Sequence, residues 1–421
     1  MTQIELAKAG PRRALIVSTV AFTVCFAVWT IFSIIGISLK DKLGLSETQY
    51  GLLVGTPVLT GSLIRIVLGI WTDRRGGRLV YTLTMLAAAV ATFLLAFAQT
   101  YEQLLLAALG VGIAGGSFAV GVAYVSRFYS AQKQGTALGI FGVGNVGASV
   151  TKFIAPFVML AWGWQSVALI WSAALVVMAA VFWFTTEDDP VTIQRRTEPY
   201  TPKSLLGEFE PLRNPQVWRF GLYYFFSFGA FVALTLWLPR YLINVYGFDI
   251  ATAGMVAALY SIPASVFRAY GGTLSDRVGA RRILYWTFGV SALITLILAL
   301  PPTDYVIAGI NGPISFHFEL TAWAFIGLLF VLGFFMSLGK AAVYKHIPSY
   351  YPQNVGAVGG LVGLLGGLGG FILPLAFGML NDLTGIWSSC FAALFVLVAA
   401  CLVWMHLSVR QLPRQTTVQT A

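Results

Sequence analysis

Charged residues are scarce in this sequence. Asp, Glu, Lys and Arg make up 10% of its 421 residues, where a soluble domain carries roughly 25%. With 58% hydrophobic residues and a mean hydropathy of +0.80, an ordinary soluble globular domain is excluded. Cysteine is nearly missing too. Cys25, Cys390 and Cys401 each lie inside an apolar run, as small buried side chains do, rather than at disulfide or metal spacing. His317 and His346 fall at opposite ends of one apolar run, and no nucleophile–base pair or metal cluster stands out. The chain therefore has no visible enzyme site and calls for no cofactor. Carboxylates are absent from the middle of every long apolar run: the sixteen acidic residues, Asp41, Glu47, Asp73, Glu102, Asp249, Asp276, Asp304, Glu319 and Asp382 among them, sit in loops or at helix ends. That argues against a proton-driven cation or drug exporter, which needs a buried carboxylate.

Apolar runs long enough to span a bilayer, about 20 residues, fall near 14–37, 48–71, 79–99, 102–126, 136–160, 166–185, 218–243, 250–273, 283–301, 320–344, 355–380 and 387–408. The sequence thus predicts an all-α integral membrane protein with twelve transmembrane helices. The first run is too long for a signal-peptide core, so it is expected to remain as a helix. A polar stretch with Asp188, Asp189, Arg195, Arg196 and Lys203 separates the sixth run from the seventh. It reads as a linker, 187–217, between a half at 1–186 and a half at 218–421. Arg12, Arg13, Arg74, Arg75, Arg78, Arg127, Lys133, Arg195, Arg196, Arg277, Arg281, Arg282, Lys345, Arg410 and Arg414 fall on one side of a twelve-span arrangement, against chiefly Lys40, Lys42 and Arg240 on the other. Basic residues favour the cytoplasmic side in short loops, so both termini are expected there. The net charge of +10 largely reflects this asymmetry and does not point to a nucleic-acid partner.

The halves repeat one another. Arg65 and Arg268 are 203 positions apart, and so are Asp73 and Asp276. Farther on, Gly135-Thr136-Ala137-Leu138-Gly139-Ile140-Phe141-Gly142 matches Gly356-Ala357-Val358-Gly359-Gly360-Leu361-Val362-Gly363 at an offset of 221, which Tyr129/Tyr350 and Gln132/Gln353 share. The growth of 18 matches the longer connection between Pro301 and Leu320, an insertion on the side away from the linker. Two parallel six-helix repeats place a substrate site at mid-membrane between them, reached from alternate sides as one half rocks against the other.

The embedded charges are positive: Arg65, Arg268, Lys152 and Lys340. Each costs about 2.5–3.5 kcal/mol at the bilayer centre, and two arginines facing one cavity repel. An anion completes such a site. The planar guanidinium fork grips two oxygens of a planar oxyanion at once, where a lysine offers a point charge. The aromatic run Phe220-Gly221-Leu222-Tyr223-Tyr224-Phe225-Phe226-Ser227-Phe228-Gly229 can hold a flat anion between ring faces and edges. Eight residues past each arginine, Asp73 and Asp276 are placed to latch the cytoplasmic face, with Arg127 a candidate partner for Asp73.

The stretch Gly69-Ile70-Trp71-Thr72-Asp73-Arg74-Arg75-Gly76-Gly77-Arg78 resembles the loop motif of the major facilitator superfamily, and Gly272 to Arg282, with Asp276 and Arg277, resembles its second-half copy. The glycine-rich Gly139-Ile140-Phe141-Gly142-Val143-Gly144-Asn145-Val146-Gly147, its counterpart Gly360 to Gly370 with Gly363, Gly366 and Gly367, and Gly115-Gly116-Ser117-Phe118 resemble the signature of the nitrate/nitrite porter family within it. The resemblance implies a nitrate transporter of the bacterial inner membrane in which Arg65 and Arg268 clamp the anion. Tyr224 would donate a hydrogen bond, with Tyr223 its rival if the register shifts by one. Phe118 and Phe228 would flank the anion and Asn145 would line its pocket. Lys152 and Lys340 resemble the pattern of the proton-coupled importers, and one of the two would take up a proton with nitrate; nitrate/nitrite exchange, nitrite export and a non-transporting anion sensor are the alternatives. The expected partners are the small anion and the lipid bilayer, and the expected state is a monomer.

Overall fold

The computed structural model describes residues 3–195, 213–350 and 355–411. Arg196, Lys203, Gln353 and Arg414, most of the segment 187–217, and the side chains of Gln132 and Arg195 lie outside the described residues.

Among the described residues, eleven helices are long and apolar enough to cross a membrane, and a bent pair counted as one span makes twelve. Spans 1 to 6 are Gly10–Leu43, Glu47–Arg75, Gly77–Leu95, Tyr101–Ser126, Thr136–Trp162 and Trp164–Thr185. Spans 7 to 12 are Pro215–Tyr246, the bent pair Ile250–Val266 and Arg268–Val278, then Ala280–Leu298, Ala322–Ile347, Val358–Thr384 and Ser389–Arg410. They form the two pseudo-symmetric six-helix halves expected of the repeat. Short polar caps punctuate them. Ser46 and Gln49 close a reciprocal capping box at the start of span 2, Thr100 and Gln103 do the same for span 4, and Asp249 caps span 8. Each satisfies backbone N–H groups that the first helical turn leaves without partners. Gly76 links spans 2 and 3 at φ 88°, a conformation that side-chain-bearing residues avoid.

Five spans lose regular helical geometry along their length. Span 1 is interrupted at Thr30–Ile31 and span 4 at Gly112, and spans 5, 7 and 8 depart from it in other ways. Span 5 tightens to a 3₁₀ turn over Val143–Val146, and span 7 widens to a π turn over Phe225–Ala230. Span 8 bends by 41° between Val266 and Arg268. Pro263, one turn before the bend, lacks the N–H that would continue the ladder. In span 7, Gly229 packs so closely on Gly366 and Gly369 of span 11 that a methyl group there would overlap their backbone. Irregular turns of this kind commonly sit at functional sites.

The halves meet along spans 2 and 11. Gly51 packs on the Pro374 carbonyl, Gly55 on Phe371 and Gly378 on the Glu47 carbonyl, backbone against backbone. The end of the bundle away from the arginine-rich loops is tied further by charge. Asp382 of span 11 accepts hydrogen bonds from the Glu47 and Thr48 amides at 3.0 and 2.7 Å, capping span 2 from the opposite half. Arg240 of span 7 reaches Glu47 at 3.2 Å and Asp41 at 3.5 Å. At this far end the insertion inferred from the shifted repeat is a β-hairpin. Its strands, Thr303–Gly309 (β1) and Gly312–Phe318 (β2), pair antiparallel with Thr303 opposite Phe318. His317 therefore sits on β2, 2.7 Å from Asp304, within the insertion that precedes the tenth span.

Candidate anion site between the halves

Arg65 rises from span 2 with 7% of its surface exposed. Its Nη1 donates to the Gly363 carbonyl of span 11 at 3.2 Å, while its Nε is buried without a partner. The guanidinium carbon lies 5.3 Å from the centre of the Phe118 ring, 5.7 Å from Phe228 and 5.8 Å from Trp29. Arg268 is 8% exposed, and its Nη1 is likewise buried and unpaired. Its guanidinium carbon lies 5.8 Å from that same Phe118 ring and 5.8 Å from Tyr344. The repeat-related arginines thus lie close to one aromatic side chain, which Phe22 and Phe141 hold at 5.4 and 5.9 Å.

The remaining wall comes from span 7. Tyr224 stacks on Phe228, one turn away, with centroids 5.1 Å apart and planes 8° from parallel. Tyr344 sets its ring edge-on to Tyr224 at 5.0 Å, and its hydroxyl donates to the Gly359 carbonyl at 3.1 Å. Tyr223 points elsewhere, against Phe288 at 5.3 Å. Asn145, in the 3₁₀ turn, is 1% exposed, and neither its amide nitrogen nor its amide oxygen has a partner. Glycines make room for these groups. Gly142 lies against the Arg268 side chain, Gly144 against Phe22, Gly363 against the Tyr344 hydroxyl, Gly366 against the Tyr224 ring, and Gly367 against Ser62 and Arg65.

Both lysines are fully buried. Lys152 donates from Nζ to Ser261 Oγ at 2.7 Å, a bond from span 5 of one half to span 8 of the other. Lys340 Nζ has no hydrogen-bond partner and stands 3.5 Å from the centre of the Phe231 ring. Among the described residues neither Arg65 nor Arg268 has an ion-pair partner. Buried charge with unsatisfied donors is expensive unless something compensates it, and the donors here are the kind an oxyanion satisfies.

At the basic end, Asp73 pairs with Arg127. Arg127 also reaches Asp189 at 3.3 Å and the Thr72 carbonyl at 3.5 Å. Asp189 has no exposed side-chain surface and accepts from the Thr192 amide at 2.9 Å and the Thr192 hydroxyl at 2.7 Å. In the second half Asp276 pairs with Lys345. Arg74 and Arg277 are exposed. Sequence reasoning missed Asp189, which stands in a charged segment that reads as solvated linker, and Tyr344, which no repeat partner or motif marks. An exposed pair contributes about 0.2–1 kcal/mol, whereas removing a buried carboxylate also leaves the donors it satisfied, the Thr192 amide among them, without a partner at about 1–3 kcal/mol each. Because Asp73 is 49% exposed and Asp189 not at all, Asp189→Ala is expected to lower the melting temperature of the purified protein by several times as much as Asp73→Ala. Equal shifts would mean that Asp189 is not a structural anchor for Arg127.

A twelve-span bundle of two repeated halves, with a charged, aromatic-walled site between them, is the architecture of a carrier, and the sequence comparison agrees. The family model of the Major Facilitator Superfamily matches residues 17–316, and the chain belongs to that superfamily: it is a membrane transporter and not an enzyme. Within the superfamily its relatives are nitrate/nitrite transporters. It is 43% identical to a "Probable nitrate/nitrite antiporter NarK1" of Thermus thermophilus, over 98% of this chain and 95% of that one. A "Nitrite extrusion protein" of Bacillus subtilis is 30% identical over 90% and 91% of the two chains, and a "Probable nitrate transporter NarT" of Staphylococcus epidermidis is 29% identical over 94% and 96%. Among solved structures, a bacterial homolog of the human lysosomal transporter Spinster superposes with a TM-score of 0.71 at 18% identity, over 94% of this chain and 96% of that one. The nucleoside transporter NupG gives 0.70 at 14%, over 94% and 99%. At these identities the structures speak to the fold alone.

Proposed function

We propose that this protein carries nitrate across the bacterial inner membrane, both termini in the cytoplasm, by alternating access of its two halves. The observation that carries the reading is the pair of arginines, each with a buried, unpaired nitrogen, close to the same Phe118 ring. Nitrate is a planar anion whose oxygens two guanidinium forks can hold from opposite sides, while Phe118, Phe228 and Tyr224 offer faces and edges to its plane. Asn145 adds an amide donor. The relatives' names support the substrate class and include nitrite. With the arginines almost inaccessible, an anion reaches them only when the halves part at one end, which is the motion that the far-end ties and the Asp73–Arg127 and Asp276–Lys345 pairs would regulate. On this orientation the basic end faces the cytoplasm. The anion site lies within one chain, in keeping with a monomer.

The direction is import, coupled to protons. Lys340 supports this: a fully buried amine with no hydrogen-bond partner can load and release a proton where no carboxylate exists. Lys152 is the other candidate, its proton state linked to the bond with Ser261 that joins the halves. A second reading, nitrate/nitrite exchange, is favoured by the name of the Thermus relative. Proteoliposomes separate the two. Symport requires uptake under an inward proton gradient with no internal nitrite, and its loss in Lys152→Met or Lys340→Met. Uptake only with internal nitrite, unchanged in both variants, would make the protein an exchanger with structural lysines.

A further inference from the structure

A cavity of about 420 Å³ opens at the basic end, lined by the second half and the last residues of the linker segment, and shares no lining residue with the anion site. Spans 7, 9, 10 and 12 line it, and its polar groups include Arg219, Arg281, His346 and Ser408, with no carboxylate among the lining residues. The Nε of Arg219 is buried and has no hydrogen-bond partner. Arg281 donates from Nη2 to the Tyr350 hydroxyl at 3.4 Å, a long bond that leaves the rest of the guanidinium fork free to face a ligand. The Phe220 ring organises the wall, stacked flat on His346 at 5.7 Å and touched edge-on by Tyr350 at 5.6 Å. Two helices begin here, at Pro215 and at Ala280, and the residue before the second is Gly279, with no side chain to cap it. Their N-termini add positive potential to that of the arginines.

The lining is also partly apolar: Leu284, Met405 and Val409 line the same cavity. The neighbouring Trp218, Trp404 and Leu407 are 46%, 39% and 52% exposed, as side chains facing hydrocarbon are. Basic groups at the end of the bundle, beside apolar lining and exposed apolar neighbours, suit a molecule with a phosphate at one end and hydrocarbon at the other. We propose that this cavity is a binding site for an anionic phospholipid, with Arg219 and Arg281 holding the phosphodiester oxygens while Met405, Val409 and Leu284 receive the start of an acyl chain. A free phosphate would satisfy the arginines but leave the apolar lining unused.

Native mass spectrometry of the full-length protein, in micelles doped with equal phosphatidylglycerol and phosphatidylcholine, tests this. Phosphatidylglycerol is expected to survive delipidation about tenfold better than phosphatidylcholine, and the Arg219→Gln/Arg281→Gln variant to retain both lipids equally. Arg219→Lys/Arg281→Lys, which keeps the charge, is expected to hold part of the preference. Equal retention of the two lipids by the wild type, or an undiminished preference in the glutamine variant, would overturn the proposal. So would thermal protection by millimolar inorganic phosphate that matches protection by phosphatidylglycerol, since the acyl chain would then contribute nothing. If the glutamine variant fails to elute as a monodisperse species, the wild-type comparison of the two lipids with phosphate decides alone.

Discussion

Replacing either buried arginine will abolish transport. Arg65→Ala and Arg268→Ala each remove a guanidinium, at 5.3 and 5.8 Å respectively from the centre of the Phe118 ring, and with it up to two charge-assisted hydrogen bonds of about 1.5–3 kcal/mol each to a bound oxyanion. At 1.4 kcal/mol per decade, the loss in affinity is about 100-fold or more. Lysine will rescue poorly at either site, because it keeps the charge and loses the planar fork. The check is nitrate uptake in proteoliposomes alongside the nitrate-dependent rise in melting temperature, with monodisperse elution as the test of folding. The two variants will differ in one respect. Arg65→Ala also breaks the bond to Gly363 that joins the halves, so its melting temperature without nitrate will fall as well, whereas Arg268 makes no such bond. Near-normal uptake by Arg65→Lys would refute bidentate recognition.

The second large effect will come from a single methyl group. Gly51 faces the Pro374 carbonyl and Gly378 faces the Glu47 carbonyl. In both cases the obstacle is backbone, with no flexible side chain to yield. Overpacking of this kind costs about 1–3 kcal/mol, and here the cost falls on the state in which the far end is closed. Gly51→Ala and Gly378→Ala are therefore expected to cut uptake by about tenfold or more. Gly360, with nothing within 4 Å of an added methyl, is the control, and Gly360→Ala should transport normally. Wild-type uptake by Gly51→Ala would show that closure of spans 2 and 11 at this end is not part of the cycle.

Much of this arrangement is legible in the sequence, because membrane proteins mark their spans by hydropathy and this one is written twice. The offset of 203 picks out Arg65 and Arg268 without any coordinates, and the change to 221 locates the insertion later seen as the β1–β2 hairpin. One turn of spacing puts Tyr224 and Phe228 on a common face. Other features depend on what approaches from outside the element. The π turn at Phe225–Ala230 accompanies the packing of Gly229 on span 11, and no local propensity announces it. Asp189 looks like linker charge until span 4 brings Arg127 to it. Tyr344 joins the wall because span 10 turns that face toward Arg268, which an uninterrupted apolar helix does not disclose.

The bend between Val266 and Arg268 has a mechanical corollary. Arg65 projects from the interior of an unbroken 29-residue helix, while its twin is the first residue of a helix that starts at the bend. In sequence the pair is symmetric; in the fold one arginine sits inside a continuous helix and the other at a bend. A small change in the angle at Phe267 would re-aim Arg268. On the proposed function, a change in this bend would alter the hold on the anion from the second half.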